Sequence, residues 1–598
     1  MNVIGLDFET YYSQEYSLSK LTTEEYVRDE RFQIIGCSIK VNDGAPCWFA
    51  GHFNVSSAFF KIPWDNVAML AHNNAFDGFI LSHQFGIVPK MYLDTLSMAR
   101  PWHHASVGGS LAKLAAHYGL GTKGTAVLDA LGKRFDDFTP EELARYGEYC
   151  CNDNNLCRLI YHKLLPLTPR RELLLIDRTL RMFCDPRLML DAEMLEKYLA
   201  EVVANKEAML NEVALTAPQD VLMSNQKLAL LLESMGVDVP MKLSPATKEM
   251  TYAFAKSDKE FVALTEDENP LVAAIVSARL GVKSTIEETR ARRYLGIARR
   301  GTFPVALQYC GAWVTQRMSG GDKQNSQNLK RGGTLRKCIM APPGYMLCSP
   351  DSSNIELRVN HTIAGQLDTV QALREGRDLY CEFASMIYGR TITKADTAER
   401  FLGKLAHLSL GYGCGPEKFR EMCRLQGVNI DMQEAERIVY LWRDTYDKVA
   451  KFWKRCENAI QHIAAGAVMQ LDDYGLVATA FEQLNTAPSN QIQYPGLQKN
   501  EHGSWYYKVK HEYKYLYGPK MVENVCQHLA RNIVMEQLLM ISVRYPVVLT
   551  SHDNVGYLAP DDEADEALAF GLKVMSTSPT WWPDIPLAAE GVAATRYS

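Results

Sequence analysis

The sequence predicts a multidomain chain of mixed α/β and α+β class. Three observations point there. At 598 residues it exceeds what one hydrophobic core organises, so about three or four units are expected. The first 160 or so residues alternate short apolar runs with helical patterns. From Arg170 to about Arg300 one amphipathic helix follows another, whereas the remainder mixes isolated strands with helices.

Composition narrows the class. Apolar residues at 47% and charged ones at 22% suit a globular protein in water. No apolar run reaches a membrane span and the N-terminus carries no basic leader, so a cytoplasmic, unexported protein is expected, with no membrane partner. The 14 cysteines form no Cys-x-x-Cys pair, which leaves buried free thiols in a reducing compartment. A net charge of -6 argues against indiscriminate coating of nucleic acid but permits a local basic groove. Arg290 to Arg293 with Arg299-Arg300, and Lys330-Arg331 with Arg336-Lys337, could supply one or be solvated faces.

In chain order, residues 2 to 8 read as an apolar strand whose period of two puts Asp7 and Glu9 on one face. Asp77 follows the apolar stretch Val67 to Leu70, in Asn73-Asn-Ala-Phe-Asp77. Tyr149 and Asp153, four apart in a helical pattern from Pro140 to His162, share a helix face. Four acids and a tyrosine could thus gather a pair of metals, one to make hydroxide and one to stabilise a leaving oxygen.

The helical middle covers Glu172 to Phe183, Ala192 to Leu215 and Ser224 to Met235, with a Pro/Ser/Thr loop near Val239 to Thr247. Arg279 and Lys283 share a helix face that suits phosphate or water. Arg317, Gln327 and Asn328 lie in a donor-rich segment between strands, fit for minor-groove acceptors or for a hydrogen-bonded loop.

Asp351 follows the short strand Tyr345 to Cys348, with Glu356 five residues on. A carboxylate at the end of a buried strand calls for a cation. Taken alone, Asp351 reads first as an N-cap for the helix Asn354 to Ile363. Arg400, Lys404, Leu408 and Tyr412 recur every four residues, making one helical stripe of two cations, an aliphatic and an aromatic. Such a stripe can hold a triphosphate and cover a base, or simply face water. A long helix begins near Glu523 and carries Gln527, and residues 545 to 558 read as two strands joined at His552-Asp553-Asn554. The stretch Tyr494 to Tyr513 gathers Lys, His and aromatic residues in a hairpin elaboration without an assigned role.

In this order, Asp7-x-Glu9, Asn73-x-x-Phe76-Asp77 and Tyr149-x-x-x-Asp153 resemble the three motifs of the DnaQ-like (DEDD, tyrosine variant) 3′-5′ exonucleases. Asp351-Ser-Ser-Asn-Ile-Glu356-Leu-Arg358, Arg400-x3-Lys404-x7-Tyr412-Gly413 and His552-Asp553 resemble the palm and fingers motifs of the family A DNA polymerases, in a large-fragment or bacteriophage layout. Together the resemblances cover nearly all of the chain. They imply a ribonuclease H-like exonuclease domain over residues 1–168 and a right-hand polymerase domain over 169–598. Within the latter, 169–305 would be a mainly helical thumb, 306–385 with 515–598 the palm, and 386–514 the fingers and an insertion.

The implied activity is template-directed DNA synthesis from dNTPs with proofreading, in bacteriophage replication. The alternative is an exonuclease whose polymerase half is a weakened duplex-binding module. Each site would hold two divalent ions, Mg²⁺ or Mn²⁺. Asp7, Glu9, Asp77 and Asp153 would bind one pair while Tyr149 orients water; Asp351, the Ser352 carbonyl and Asp553 would bind the other. Arg400, Lys404 and Tyr380 would meet the triphosphate, with Lys404 the proton donor to pyrophosphate. Leu408 would face the sugar, Tyr412 the templating position, and Glu356 would exclude a ribose. Arg317, Gln327, Asn328, Gln527, His552, Arg279 and Lys283 would contact DNA. The implied partners of this monomer are primer-template DNA, dNTPs and a single-stranded 3′ end. Three positions depart from the family pattern: Asn554 replaces a glutamate, Leu408 an aromatic and Tyr380 a histidine.

Overall fold

The computed structural model describes residues 1–597 except 125–128, 245–248, 256–257, 268, 284–285 and 511. Its contacts divide into two units. The first comprises residues 1–188, 304–328 and 341–595; the second comprises 189–303, 329–340 and 596–598. Among the described residues no helix is long and apolar enough to cross a membrane.

The N-terminal part of the first unit is built on five strands: β1 (Asn2–Thr10), β2 (Ile34–Val41), β3 (Cys47–Ala50), β4 (Val67–Ala71) and β5 (Met91–Asp94), ordered β3-β2-β1-β4-β5. β1 runs antiparallel to β2 and parallel to β4. Its inward residues Ile4, Leu6 and Phe8 are buried, and helix Pro140–Leu164 packs across β1 and β2. A capping box of Thr139 and Glu142, with Pro140 in the first turn, starts that helix where its donors would otherwise lack partners.

A second sheet in the same unit has four antiparallel strands, in the order Val547–Ser551, Asn554–Pro560, Tyr345–Ser352, Ala589–Ala594. The 25-residue helix Gly518–Ser542 packs beside it, so the long helix begins five residues earlier than the pattern at Glu523 suggests. Its buried face (Val522, Val525, Leu529, Ile533) joins Val359, Phe383, Leu410, Trp442 and Ile460 in the main core.

Helix Arg170–Cys184 corrects the expected domain limits. It belongs to the first unit and not to a helical segment 169–305, because its polar residues are tied there. Asp177 accepts the Tyr92 N–H at 2.8 Å. Glu172 meets Arg531 at 2.6 Å and the Tyr309 hydroxyl at 2.5 Å, both from buried positions. Burial would raise the Glu172 pKa, but Arg531, Tyr309 and Arg171 outweigh it and hold it at about 2, against 4.5 for a free glutamate. The folded value is depressed, so the stabilisation is present above pH 4.5 and is lost as pH falls towards 2. Replacing Glu172 by Ala strands a buried guanidinium and is expected to cost about 3–5 kcal/mol. Denaturant titrations should show that loss at pH 7, together with a flatter acid limb.

In the second unit, helices Ala192–Val213, Gln219–Met223, Asn225–Ser234 and Pro270–Lys283 share a separate core that includes Val213, Leu222, Leu228, Leu232, Phe254, Phe261, Val272 and Ile275, and helix Ile286–Arg300 packs against Ala192–Val213. Residues 329–340, expected with 306–385, also belong to this unit. The expected loop near 239–247 contains a short strand, Met241–Leu243, paired with Met250–Tyr252; residues 245–248 lie outside the described set.

Candidate active sites

The N-terminal acids converge at the end of β1. Asp7 and Glu9 project from that strand, Asp77 from helix Asn74–Phe85 and Asp153 from helix Pro140–Leu164. Asp77 accepts the Phe8 N–H at 3.0 Å, which docks its helix onto β1. Burial is the largest influence on every acid here. Together with Asp153 it lifts Asp7 to about 7, and it raises Glu9 and Asp77 well above the usual carboxylate range, each with Asp7 as the next cause. Asp153 is also raised by burial, although Lys123 meets it at 2.9 Å and opposes the shift. Tyr149 is buried beneath the Lys123 ammonium, 5.6 Å from its ring centre, and hydrogen-bonds with Asp153.

This donor set fits a hard divalent cation. Ligand atoms of Asp7, Glu9 and Cys150 lie within 4.8 Å of one another, and Asp153 Oδ1 is buried without a hydrogen-bond partner. Burial keeps Cys150 a thiol, donating to the Asp7 carbonyl at 3.1 Å, so the oxygens are the ligands. Sequence patterning overlooked Lys123, Cys150 and Tyr146, whose hydroxyl donates to Glu9 at 2.6 Å. Only Tyr146 carried a usable signal, lying three residues before Tyr149 on the same helix.

The second cluster is centred on Asp351. Here the N-cap reading fails: Asp351 is the penultimate residue of strand Tyr345–Ser352, paired with Asn554 and Glu590, and Asn354 at φ 55° is the residue preceding helix Ile355–Ile363. The Ser352 N–H donates to the Asp553 carbonyl at 2.9 Å, tying this strand end to the hairpin turn at His552-Asp553. Both aspartates therefore lie where strands end, on one side of the four-stranded sheet. Asn554 turns away from that side, and its amide donates to Ser349 Oγ at 3.0 Å and to the Pro350 carbonyl at 2.9 Å. It stitches strands together, which explains why a neutral residue serves there.

Glu356 anchors the neighbouring wall. It pairs with Arg317 and accepts the Tyr412 hydroxyl at 2.9 Å. His552 is exposed, and its pKa is lowered by partial burial and then by Arg317. Helix Thr397–Leu410 presents Arg400, Lys404 and Leu408 on one stripe, Lys404 exposed and Leu408 48% exposed. An apolar side chain so exposed beside two cations suits a ligand surface. Arg400 meets Asp378 at 2.9 Å and lies 5.4 Å from the Tyr380 ring centre, while Tyr380 donates to Asn354 Oδ1 at 2.9 Å. Gly403 permits the close approach, since a Cβ there would collide with the Tyr380 carbonyl.

Three expectations change. Tyr412 lies beyond the helix rather than on its stripe, because Leu410 is its last residue and Gly413 follows at φ 75°. Arg279 is 1% exposed and spends its guanidinium on the Leu222 carbonyl and Asn225, so it is a structural cation and not a phosphate contact. Gln327 is buried, with its carbonyl accepting from Ser551 Oγ at 3.1 Å. Asn328 is exposed and Gln527 half-buried, while the Lys283 side chain lies outside the described residues.

Residues 192–471 match the family model for DNA polymerase family A. This stretch, just under half of the chain, is a family A DNA polymerase domain. Among its relatives, the thermostable DNA polymerase I of Thermus filiformis is 25% identical over 290 residues, 47% of this chain and 30% of that protein. The DNA polymerase of Mycobacterium phage L5 is 25% identical over 425 residues, 65% of this chain and 66% of that protein. The chain thus spans less than a third of the first of these relatives. The likeness in fold extends further than the family-model match. The POL domain of Pol1 from M. smegmatis, solved with DNA primer-template and dNTP, superposes with a TM-score of 0.69 at 16% identity, covering 99% of this chain and 95% of that one.

Proposed function

We propose that this protein is a template-directed DNA polymerase with a 3′-5′ proofreading exonuclease, working in bacteriophage DNA replication. The observation that carries this reading is the hydrogen bond from the Ser352 N–H to the Asp553 carbonyl at 2.9 Å, which brings the strand end at Asp351 beside the turn at Asp553. Residues 1–168 would be the exonuclease, the four-stranded sheet the palm, helix Thr397–Leu410 part of the fingers and the second unit the thumb.

Two divalent ions held by Asp351, the Ser352 carbonyl and Asp553 would lower the pKa of the primer 3′-hydroxyl and neutralise charge on the triphosphate. Arg400 and Lys404 bind the phosphates, Arg400 being aimed by Asp378, and Lys404 supplies the proton to pyrophosphate. Leu408 covers the nucleotide sugar and Tyr412 borders the template base. Arg317, Gln527 and His552 contact the primer-template duplex. In the exonuclease site, Asp7, Glu9, Asp77 and Asp153 would hold two ions, and Tyr149 orients the attacking water. Displacement of Lys123 from Asp153 would free that ligand.

Primer extension with Mg²⁺ and all four dNTPs, on a matched and on a 3′-mismatched primer, tests both halves. Extension of the first and trimming of the second are expected. A protein that trims but never extends would refute the polymerase half. Glu356→Ala removes the group assigned to exclude ribose, so rNTP incorporation relative to dNTP should rise at least about ten-fold in competition assays. Absolute dNTP use should fall as well, because Arg317 and Tyr412 both lose their carboxylate partner.

A further inference from the structure

The cluster of lysines and aromatics near residue 500 folds into a small antiparallel sheet. Strands Gln498–Lys499, Trp505–Val509 and Glu512–Tyr515 lie side by side in chain order. Alternation divides the sheet sharply. Tyr507 and Val509 point inward and are buried in the main core, with Tyr507 5.2 Å from the Tyr494 ring. The tip is fixed as well, since the Lys510 N–H donates to the Ala105 carbonyl at 2.9 Å.

The outward face is unusual. Tyr506 pairs with Tyr515, and Lys508 with Tyr513, so these four side chains share one side of the sheet. Tyr513 and Tyr515 are 62% and 59% exposed, and Lys508 is exposed. The Tyr506 and Tyr513 rings meet edge to face at 5.2 Å. None of the three hydroxyls has a hydrogen-bond partner among the described residues. Packing within the protein therefore does not account for three tyrosines here, two of them mostly in water.

Charge favours one kind of occupant. Segment 498–517 carries Lys499, Lys508, Lys510 and Lys514 against Glu501 and Glu512, an excess of two positive charges in a chain of net charge -6. Glu512 is drawn towards Lys514 at 3.9 Å, which mutes one of the two acids. Aromatic faces interleaved with lysines on a fixed sheet match a polyanion with free planar bases. A duplex keeps its base faces stacked, so a single strand fits and a duplex does not. Tyr513 and Tyr515, two residues apart and so about 7 Å along the strand, leave room for a base on each.

We propose that the face of Tyr506, Lys508, Tyr513 and Tyr515 is a sequence-tolerant binding platform for single-stranded DNA, built from residues that belong to neither acid cluster. Stacking on the tyrosines would supply most of the affinity, and Lys508 would hold a phosphate. This goes beyond the polymerase reading and does not depend on catalysis.

A short closed circle of oligothymidylate tests it, because a circle offers no 3′ end to an exonuclease site and no primer to a polymerase site. Binding is measured by fluorescence anisotropy with the full chain. Tyr513→Ala combined with Tyr515→Ala should weaken the circle at least about ten-fold, whereas Tyr513→Phe with Tyr515→Phe should stay within about two-fold. Lys508→Ala should lower the salt dependence by about 0.7 in the log–log slope. An alanine pair that binds as tightly as the wild type would overturn the proposal and leave the face to a protein partner. So would a phenylalanine pair as weak as the alanine pair. Extension of a fully annealed primer-template reports separately on the polymerase assignment and confirms that the variants are folded.

Discussion

Asp351→Ala and Asp553→Ala proteins are expected to lose primer extension by at least about a thousand-fold, because a metal clamp on the reacting phosphate is worth several kcal/mol. Both should still shorten single-stranded DNA at the wild-type rate. The two aspartates, one at a strand end and one in a hairpin turn, are far apart in sequence, yet the Ser352 to Asp553 hydrogen bond at 2.9 Å brings them to the same end of the sheet. Neither truncation removes core volume, since both residues are only half-buried, so the melting temperature should hardly move. Single-turnover incorporation of one dNTP separates lost chemistry from lost binding. If either alanine variant extended primers normally, the assignment of this end as the metal site would be wrong. Asn554→Ala behaves differently: it breaks two hydrogen bonds to strand Tyr345–Ser352 and should lower stability as well as rate.

Periodicity carried much of this architecture. The β1 alternation placed Asp7 beside Glu9, the helix repeat placed Tyr149 beside Asp153, and four-residue spacing lined up Arg400, Lys404 and Leu408 on a real helix. What sequence could not disclose depends on distant partners. Asp351 taken alone looked like a cap because a strand end and a helix start adjoin there, and it took the motif resemblance to Asp553, two hundred residues later, to read it as a metal ligand. Arg279 looked like a surface cation because the helix pattern contains no sign that Leu222 and Asn225 would receive its guanidinium. Glu172 could not be matched to Arg531 by any local rule. Tyr412 failed for a local reason, as glycines flank it and end the helix.

Removal of the other acid cluster gives the complementary result. Asp7→Ala should abolish trimming of a mismatched primer end, by about a thousand-fold or more, and leave incorporation on matched primers within about two-fold. The pH response adds a second readout. Burial and then Asp153 hold Asp7 at about 7 in the metal-free protein, so near neutrality cations compete with protons for the cluster. Affinity for a divalent ion should therefore fall as pH drops from 8 to 6, by about ten-fold per unit for each proton displaced. Calorimetry in two buffers of different protonation enthalpy would count those protons. The same shift sets the sign for stability: the folded state binds the Asp7 proton more tightly than the unfolded chain. The metal-free protein should accordingly gain stability as pH falls through 7, and Asp7→Asn should flatten that slope. Metal affinity independent of pH across this range would mean that Asp7 is not a ligand. An Asp7→Ala protein that still trimmed mismatches would place the exonuclease elsewhere.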